Sequence, residues 1–182
     1  MKFVIIRHGE TQGNAQNLIQ GAGVDLPLND TGRKQATEVA EKLNQLNLPV
    51  IYCSKMIRAK QTAQIIADKI KCPFKPFDNL EEVHYGDAEG MLSSEAKKLY
   101  KDVFEVILDR NNPKAMEVSI PNGESIGQST QRGIRALMSI KESCDYPIVG
   151  VVSHGSLMFN IYYHFFKKTH RFENCEFFEV EL

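Results

Sequence analysis

Phe3-Val4-Ile5-Ile6-Arg7-His8-Gly9, near the start, and Ile148-Val149-Gly150-Val151-Val152-Ser153-His154-Gly155, near the end, are built alike. Each opens with an apolar run rich in β-branched residues and without polar alternation, the pattern of a strand buried on both faces. Each then runs directly into a histidine followed by a glycine. A third run, Val50-Ile51-Tyr52-Cys53, leads into Ser54 and then Arg58. Three strand-like runs therefore end in residues able to bind or react.

The stretches between them have helical spacing. From Asn29 to Leu46, Ala36, Val39, Ala40, Leu43 and Leu46 recur at three- and four-residue steps, and Asn29 or Thr31 can cap the start. Ile57 to Ile70 reads as a helix and Phe74 to Phe77 as a short extended piece. Ser94 to Asp109 reads as one further helix, ended by Asn111-Asn112-Pro113. Ser125 caps a helix reaching about Ser143, another runs from Ser156 to Phe165, and Glu176 to Leu182 alternates like an edge strand. This alternation predicts an α/β protein: a three-layer α/β/α sandwich with a mostly parallel central sheet, in a single domain over residues 1–182. Ligands in such folds bind beyond the carboxyl ends of the strands. Arg7-His8, Ser54 with Arg58, and Ser153-His154-Gly155 all fall at that edge.

Composition narrows the partners. The chain has 182 residues, of which 42% are hydrophobic and 25% charged, and a formal charge of −1. Such a balance gives no overall attraction to nucleic acid or an anionic membrane, so anion binding must come from a local basic cluster. Cys53, Cys72, Cys144 and Cys175 are dispersed with no CxxC pair, which suits neither a zinc site nor a dense disulfide framework. No apolar run approaches the ~20 residues of a membrane span, and the first residues lack the longer apolar core of a secretory signal. The expected setting is soluble, reducing and cytoplasmic. A GxxxxGK[ST] phosphate loop is absent, against a nucleotide-driven motor.

At the sheet edge, Arg7 and Arg58 supply permanent charge and forked planar donors suited to phosphate oxygens. His8 and His154 add two imidazoles, and Gly9 and Gly155 behind them let backbone come close to a ligand. Helices following the strands aim N-terminal N–H groups at the same edge. The sum is a pocket for a compact dianion, with phosphoryl the obvious candidate. A neutral imidazole can attack phosphorus in line, while the arginines and the second imidazole stabilise charge on the equatorial oxygens. One carboxyl group can protonate the leaving alkoxide and later activate water. Leu80-Glu81-Glu82-Val83-His84-Tyr85-Gly86 offers that group, with Glu81 a rival to Glu82. Taken singly, Arg7 could be a surface ion-pair partner and His154 a hydrogen-bonded core residue. Glu10 reads as a helix-start carboxylate, Asp25 as a turn residue and Glu124 as mainly structural beside the cap Ser125. Glu82, His84 and Asp87 lack the helical i, i+4 spacing of a metal pair.

Arg7-His8-Gly9-Glu10-Thr11 resembles the RHGxT signature of the histidine phosphatase (phosphoglycerate mutase-like) superfamily, branch 1. Asn14, Asp25-x-Pro27-Leu28 with Gly32 and Gln35-Ala36, and Ser54 through Arg58-Ala59-x-Gln61-Thr62-Ala63 follow in the family's order. So do Leu80-x-Glu82 with Gly86 and Glu89-Gly90, then Gly123-Glu124-Ser125, then His154-Gly155. The resemblance spans nearly the whole chain and implies roles by position. His8 would be the phosphorylated nucleophile and Glu82 the proton donor. Arg7, Asn14, Arg58 and His154 would bind the phosphoryl group, with Gln20, Gly21, Gly155 and Ser156 beside the substrate. Neither metal nor cofactor is implied, because arginines and histidines take the place of a divalent cation.

The implied reaction is hydrolysis of a small phosphomonoester, so the expected partner is a small phosphorylated metabolite. A cofactor-dependent phosphoglycerate mutase is the alternative. Against it, Val83 stands where the mutase has arginine, and no Arg-Arg pair lies between Gly90 and Pro121. A catalytically silent phospho-ligand-binding module is a further alternative. Residues 91–121, with Lys97, Lys98, Tyr100, Lys101, Phe104 and Arg110, are expected to form a helical cover that selects the leaving group. Phe177-Phe178 offers an edge that another chain could pair with.

Overall fold

The computed structural model describes residues 1–109 and 111–182. Among them the order is β1 (Lys2–Arg7), α1 (Gln12–Ala15), α2 (Asp30–Leu43), β2 (Ile51–Cys53), α3 (Ile57–Ile70), β3 (Phe74–Pro76), α4 (Ser93–Leu99), α5 (Lys101–Leu108), α6 (Ile126–Ser143), β4 (Ile148–Ser153), α7 (Gly155–Phe166) and β5 (Phe177–Glu181). The strands form one sheet in the order β3-β2-β4-β1-β5. Only β5 runs antiparallel, pairing with β1 at the sheet edge. This is the mostly parallel α/β architecture expected.

Period-two alternation along β1 divides the core. Phe3 and Ile5 face α6 and α7, meeting Leu137, Ile140, Leu157 and Met158. Val4 and Ile6 face α2 and α3, meeting Val39, Leu43, Ala63 and Ile66. All four β1 residues are fully buried, because helices cover both faces of the sheet. Phe178 of β5 turns into the first of these clusters. A third, smaller cluster joins Ala88, Ala96 and Ile120 to Tyr100, Val103 and Phe104.

Two helix expectations change. The helix expected over Asn29 to Leu46 ends at Leu43 and tightens into a 3₁₀ turn, Asn44–Leu46, before Asn47 turns left-handed at φ 49°. The single helix expected over Ser94 to Asp109 is two helices meeting at Tyr100, whose φ −108° and ψ 37° break the α geometry. The bend keeps Ala96 of one half and Val103 and Phe104 of the other on the same small cluster. Neither glycine nor proline marks it in the sequence. Arg110, expected in the cover, lies outside the described residues. No helix among those described is long and apolar enough to cross a membrane.

Candidate active site

The pairing of β1 with β4 sets Arg7 opposite Ser153, so His8 and His154 leave the sheet side by side. The His8 N–H donates to the Ser153 carbonyl at 3.0 Å. The two rings lie 5.1 Å apart, centre to centre, and both are buried.

Their surroundings assign opposite tautomers. Nδ1 of His8 lies 2.7 Å from the Gly9 carbonyl oxygen, which can only accept, so Nδ1 carries the proton and Nε2 keeps its lone pair. Nδ1 of His154 accepts from Arg58 Nε–H at 3.2 Å, so its proton resides on Nε2. Burial holds the pKa of His8 well below the ordinary 6.5, and the Arg58 and Arg7 charges lower it further. Burial, then Arg58 and His8, do the same for His154. Both imidazoles are therefore neutral at neutral pH.

Arg58, 1% exposed, spends each of its nitrogens on the protein: Nε on His154, Nη1 on the Val24 carbonyl at 2.9 Å and Nη2 on the Gly21 carbonyl at 2.8 Å. Arg7 donates from Nη1 to the Phe172 carbonyl at 2.7 Å. Nε of Arg7 and Nε2 of His154 are buried with no hydrogen-bond partner among the described residues. An unmet buried donor carries a desolvation cost of about 1–3 kcal/mol, and an anion placed between these two would relieve both.

Thr11 and Asn14 close the next side. Asn14 Oδ1 accepts the Thr11 N–H at 3.0 Å, so its amide NH₂ is the group left to meet a ligand. The Thr11 hydroxyl also lies 3.0 Å from Gln20 Oε1. Glu82 completes the set. Its Oε1 accepts from Val83 N–H at 2.9 Å, Leu157 N–H at 3.0 Å and Ser156 N–H at 3.2 Å, while among the described residues Oε2 accepts from Ser156 N–H at 3.1 Å. The carboxyl group is thus held in place by backbone amides at the N-terminus of α7. Glu81 instead lies 4.0 Å from Arg132 on α6.

Arg7, His8, Asn14, Gln20, Gly21, Arg58, Glu82, Gly155 and Ser156 all border one cavity of about 620 Å³. His154 lies behind this lining, in contact through Arg58 and the His8 ring. Phe104, Ile107 and Leu108 of α5, with Val118, Ile120 and Phe159, give the cavity an apolar wall, and Lys97 and Arg171 add charge to it. No group of three or more His, Cys, Asp or Glu residues able to hold a metal occurs among the described residues.

Several expectations change in detail. A Cβ on Gly9 would lie 2.4 Å from the Gly32 carbonyl oxygen, and one on Gly155 would lie 3.1 Å from Arg7 Nε. These glycines admit neighbouring protein groups where a ligand was expected. Asp25 is more than a turn residue: both oxygens accept Ile57 N–H at 2.9 Å at the start of α3, and one lies 3.6 Å from Arg58 Nη1. Glu10 accepts from Asn29 Nδ2 at 2.7 Å and borders the cavity, and Thr11 caps α1. Glu124 forks onto Arg132 and also borders the cavity. Sequence reasoning passed over Thr62, which accepts Gly9 N–H at 3.0 Å, and Arg132, which faces backbone carbonyls. It also passed over Tyr85, whose hydroxyl donates to Ser156 Oγ at 2.8 Å.

Fold and site together describe an α/β protein with buried, unmatched N–H donors at the carboxyl edge of its sheet. The profile of the histidine phosphatase superfamily (branch 1) matches residues 3–180, and the chain belongs to that family. It is 36% identical over 164 residues to phosphoglycerate mutase-like protein 4 of Arabidopsis thaliana, spanning 88% of this chain and 69% of the relative. It is 35% identical over 164 residues to the metal-independent phosphoserine phosphatase of the same plant, spanning 88% and 67%. Among solved structures, YhfR of Bacillus stearothermophilus superposes with a TM-score of 0.85 at 26% identity, covering 100% of this chain and 91% of that one. The names of such relatives, among them a phosphatase of Bacillus subtilis 34% identical over 152 residues (84% of this chain, 70% of the relative), support the enzyme class expected from the sequence, a phosphatase.

Proposed function

We propose that the chain hydrolyses small phosphomonoesters without a metal, through a phosphohistidine on His8. The observation that carries this reading is the pair of opposite tautomers, with a lone pair on His8 Nε2 beside unmet N–H donors on Arg7 and His154. In the first step, His8 Nε2 attacks phosphorus and the P–O bond to the leaving group breaks. The departing alkoxide takes a proton from Glu82 Oε2. His8 keeps its Nδ1–H on the Gly9 carbonyl and becomes a phosphoimidazolium, which is a good leaving group. Arg7, His154 and the Asn14 amide hold the equatorial oxygens, and Arg58 fixes the His154 tautomer that makes this possible. In the second step, water attacks phosphorus while the Glu82 carboxylate takes its proton. The N–P bond breaks, and neutral His8 and inorganic phosphate result.

We place the leaving group against α4 and α5, with residues 91–121 as its cover within one 1–182 unit. The apolar wall from Phe104, Ile107 and Val118, with Lys97 on the helical side, suits a small monophosphorylated metabolite with an apolar part. The four unpaired thiols agree with a reducing, cytoplasmic setting.

The test is incubation with phosphomonoesters in chelator, early quenching, and mass spectrometry under non-acidic conditions. Phosphate on His8 is expected, with turnover lost in His8→Ala and an altered leaving-group dependence in Glu82→Gln. Transfer between 2,3-bisphosphoglycerate and 3-phosphoglycerate, outpacing phosphate release, would show a mutase. No adduct and no turnover would show a binding module.

A further inference from the structure

We infer that Arg132 is a positioning residue for Glu82, setting the place of the proton donor without touching substrate. The inference rests on the function proposed above. Arg132 projects from α6, and all five of its N–H donors are matched by acceptors. Nε and Nη2 fork onto the two Glu124 oxygens, each at 2.8 Å. Nη1 donates to the carbonyls of Asn79 at 2.9 Å and Glu81 at 3.1 Å, and Nη2 to the carbonyl of Glu82 at 3.3 Å.

Between Asn79 and Val83 the chain is neither helix nor strand, so its carbonyls have no ladder to enter. Three of them point at one guanidinium. The fourth, on Leu80, accepts from Ser153 Oγ at 2.9 Å, one residue ahead of His154. Glu124 ties the far side of the same loop, since its N–H donates to the His84 carbonyl at 2.7 Å. Glu82 is therefore gripped at both ends, its backbone by α6 through Arg132 and its carboxylate by the amides of α7. A general acid must lie within hydrogen-bond reach of the leaving oxygen, so a shift of about 1 Å in this loop is felt in rate. Lysine keeps the charge of Arg132 but cannot span Glu124 and three carbonyls, having three donors on one atom.

Leaving-group dependence separates positioning from mere structure. p-Nitrophenolate departs without a proton, whereas a serine or alkyl alkoxide needs one. For Arg132→Lys we expect kcat/KM to fall by roughly 10- to 100-fold on phosphoserine and alkyl phosphates. On p-nitrophenyl phosphate the fall should stay under about threefold, with His8 still phosphorylated. In a Glu82→Gln background the same substitution should add less than about twofold, because the group it positions is already gone. Glu124→Gln, which leaves the arginine in place but weakens its fork, should shift the same dependence less. It serves if Arg132→Lys fails to fold. Equal losses on all esters, or additive losses in the double variant, would overturn the inference. If Glu82→Gln itself lowers kcat/KM, which reports the phosphorylation step, evenly on all esters, the proton-donor assignment fails and the inference falls with it. Absence of any His8 adduct in the unaltered protein would instead fault the proposed function as a whole.

Discussion

Arg58 illustrates how a residue that looks like a ligand contact in the sequence can work mainly on its neighbours. Its three nitrogens hold His154 and the carbonyls of Gly21 and Val24, so it shapes the site from within the protein. Arg58→Lys retains the charge but can keep at most part of this forked set. The variant is expected to lose about 2–4 kcal/mol, since buried acceptors lose their donors, and denaturant unfolding measures that directly. It should also free His154 to carry its proton on either nitrogen, which ¹⁵N NMR of the imidazole would report. At this scale Arg7, His8, Arg58 and His154 are legible in the sequence because each follows a strand-like run. The duties of Asp25 and Thr62 are not, because their partners, Ile57 N–H and Gly9 N–H, are backbone groups on other elements.

Between elements, the loop after β1 approaches the start of α2 closely beside the site. Gly9 lies against the Gly32 carbonyl, and a Cβ on Gly32 would lie 2.1 Å from the Glu10 carbonyl oxygen. Backbone meets backbone here, so no rotamer change can make room. Gly9→Ala is expected to cost about 3 kcal/mol through overpacking and to move the Gly9 carbonyl that sets the His8 tautomer. A lowered melting temperature together with lost His8 phosphorylation would be the result. At the start of α6, the Ser125 hydroxyl accepts Gln128 N–H at 3.2 Å. Ser125→Ala should cost only about 1 kcal/mol, the usual worth of such a cap, and leave turnover on p-nitrophenyl phosphate nearly unchanged. Helix faces were readable from periodicity, whereas the two faces of β1 were not, because all its residues from Phe3 to Ile6 are apolar. The bend at Tyr100 was not, because the apolar spacing continues smoothly through it and only the small cluster beneath α4 and α5 selects the break.

For the molecule as a whole, two neutral imidazoles buried together predict a pH dependence of stability. Both folded-state pKa values are depressed below the ordinary 6.5 by burial first and by Arg58 next. Below that value the unfolded chain takes up protons that the folded chain refuses. Stability is therefore unaffected by these groups above pH 6.5 and falls as pH drops through the window beneath it. Each imidazole contributes at most about 1.4 kcal/mol per pH unit to the slope. Unfolding midpoints at pH 7.5 and 5.5 should differ accordingly, and His154→Asn should reduce the slope. A flat profile in the unaltered protein would show that the imidazoles are protonated within the fold.

The sequence by itself determined the α/β alternation, the two histidines each at the end of a buried strand and the arginines close to such strand ends. Those features follow from side-chain periodicity, which is local and written in residue types. The tertiary structure alone decided three things. It chose the tautomers, because Arg58 reaches His154 across 96 residues. It gave the α7 amides to Glu82 and turned Glu81 toward Arg132. It also converged three carbonyls on Arg132. Every residue carries the same N–H and C=O, apart from proline's missing proton, so no residue type announces where those groups will point. Only the folded chain brings them to one place.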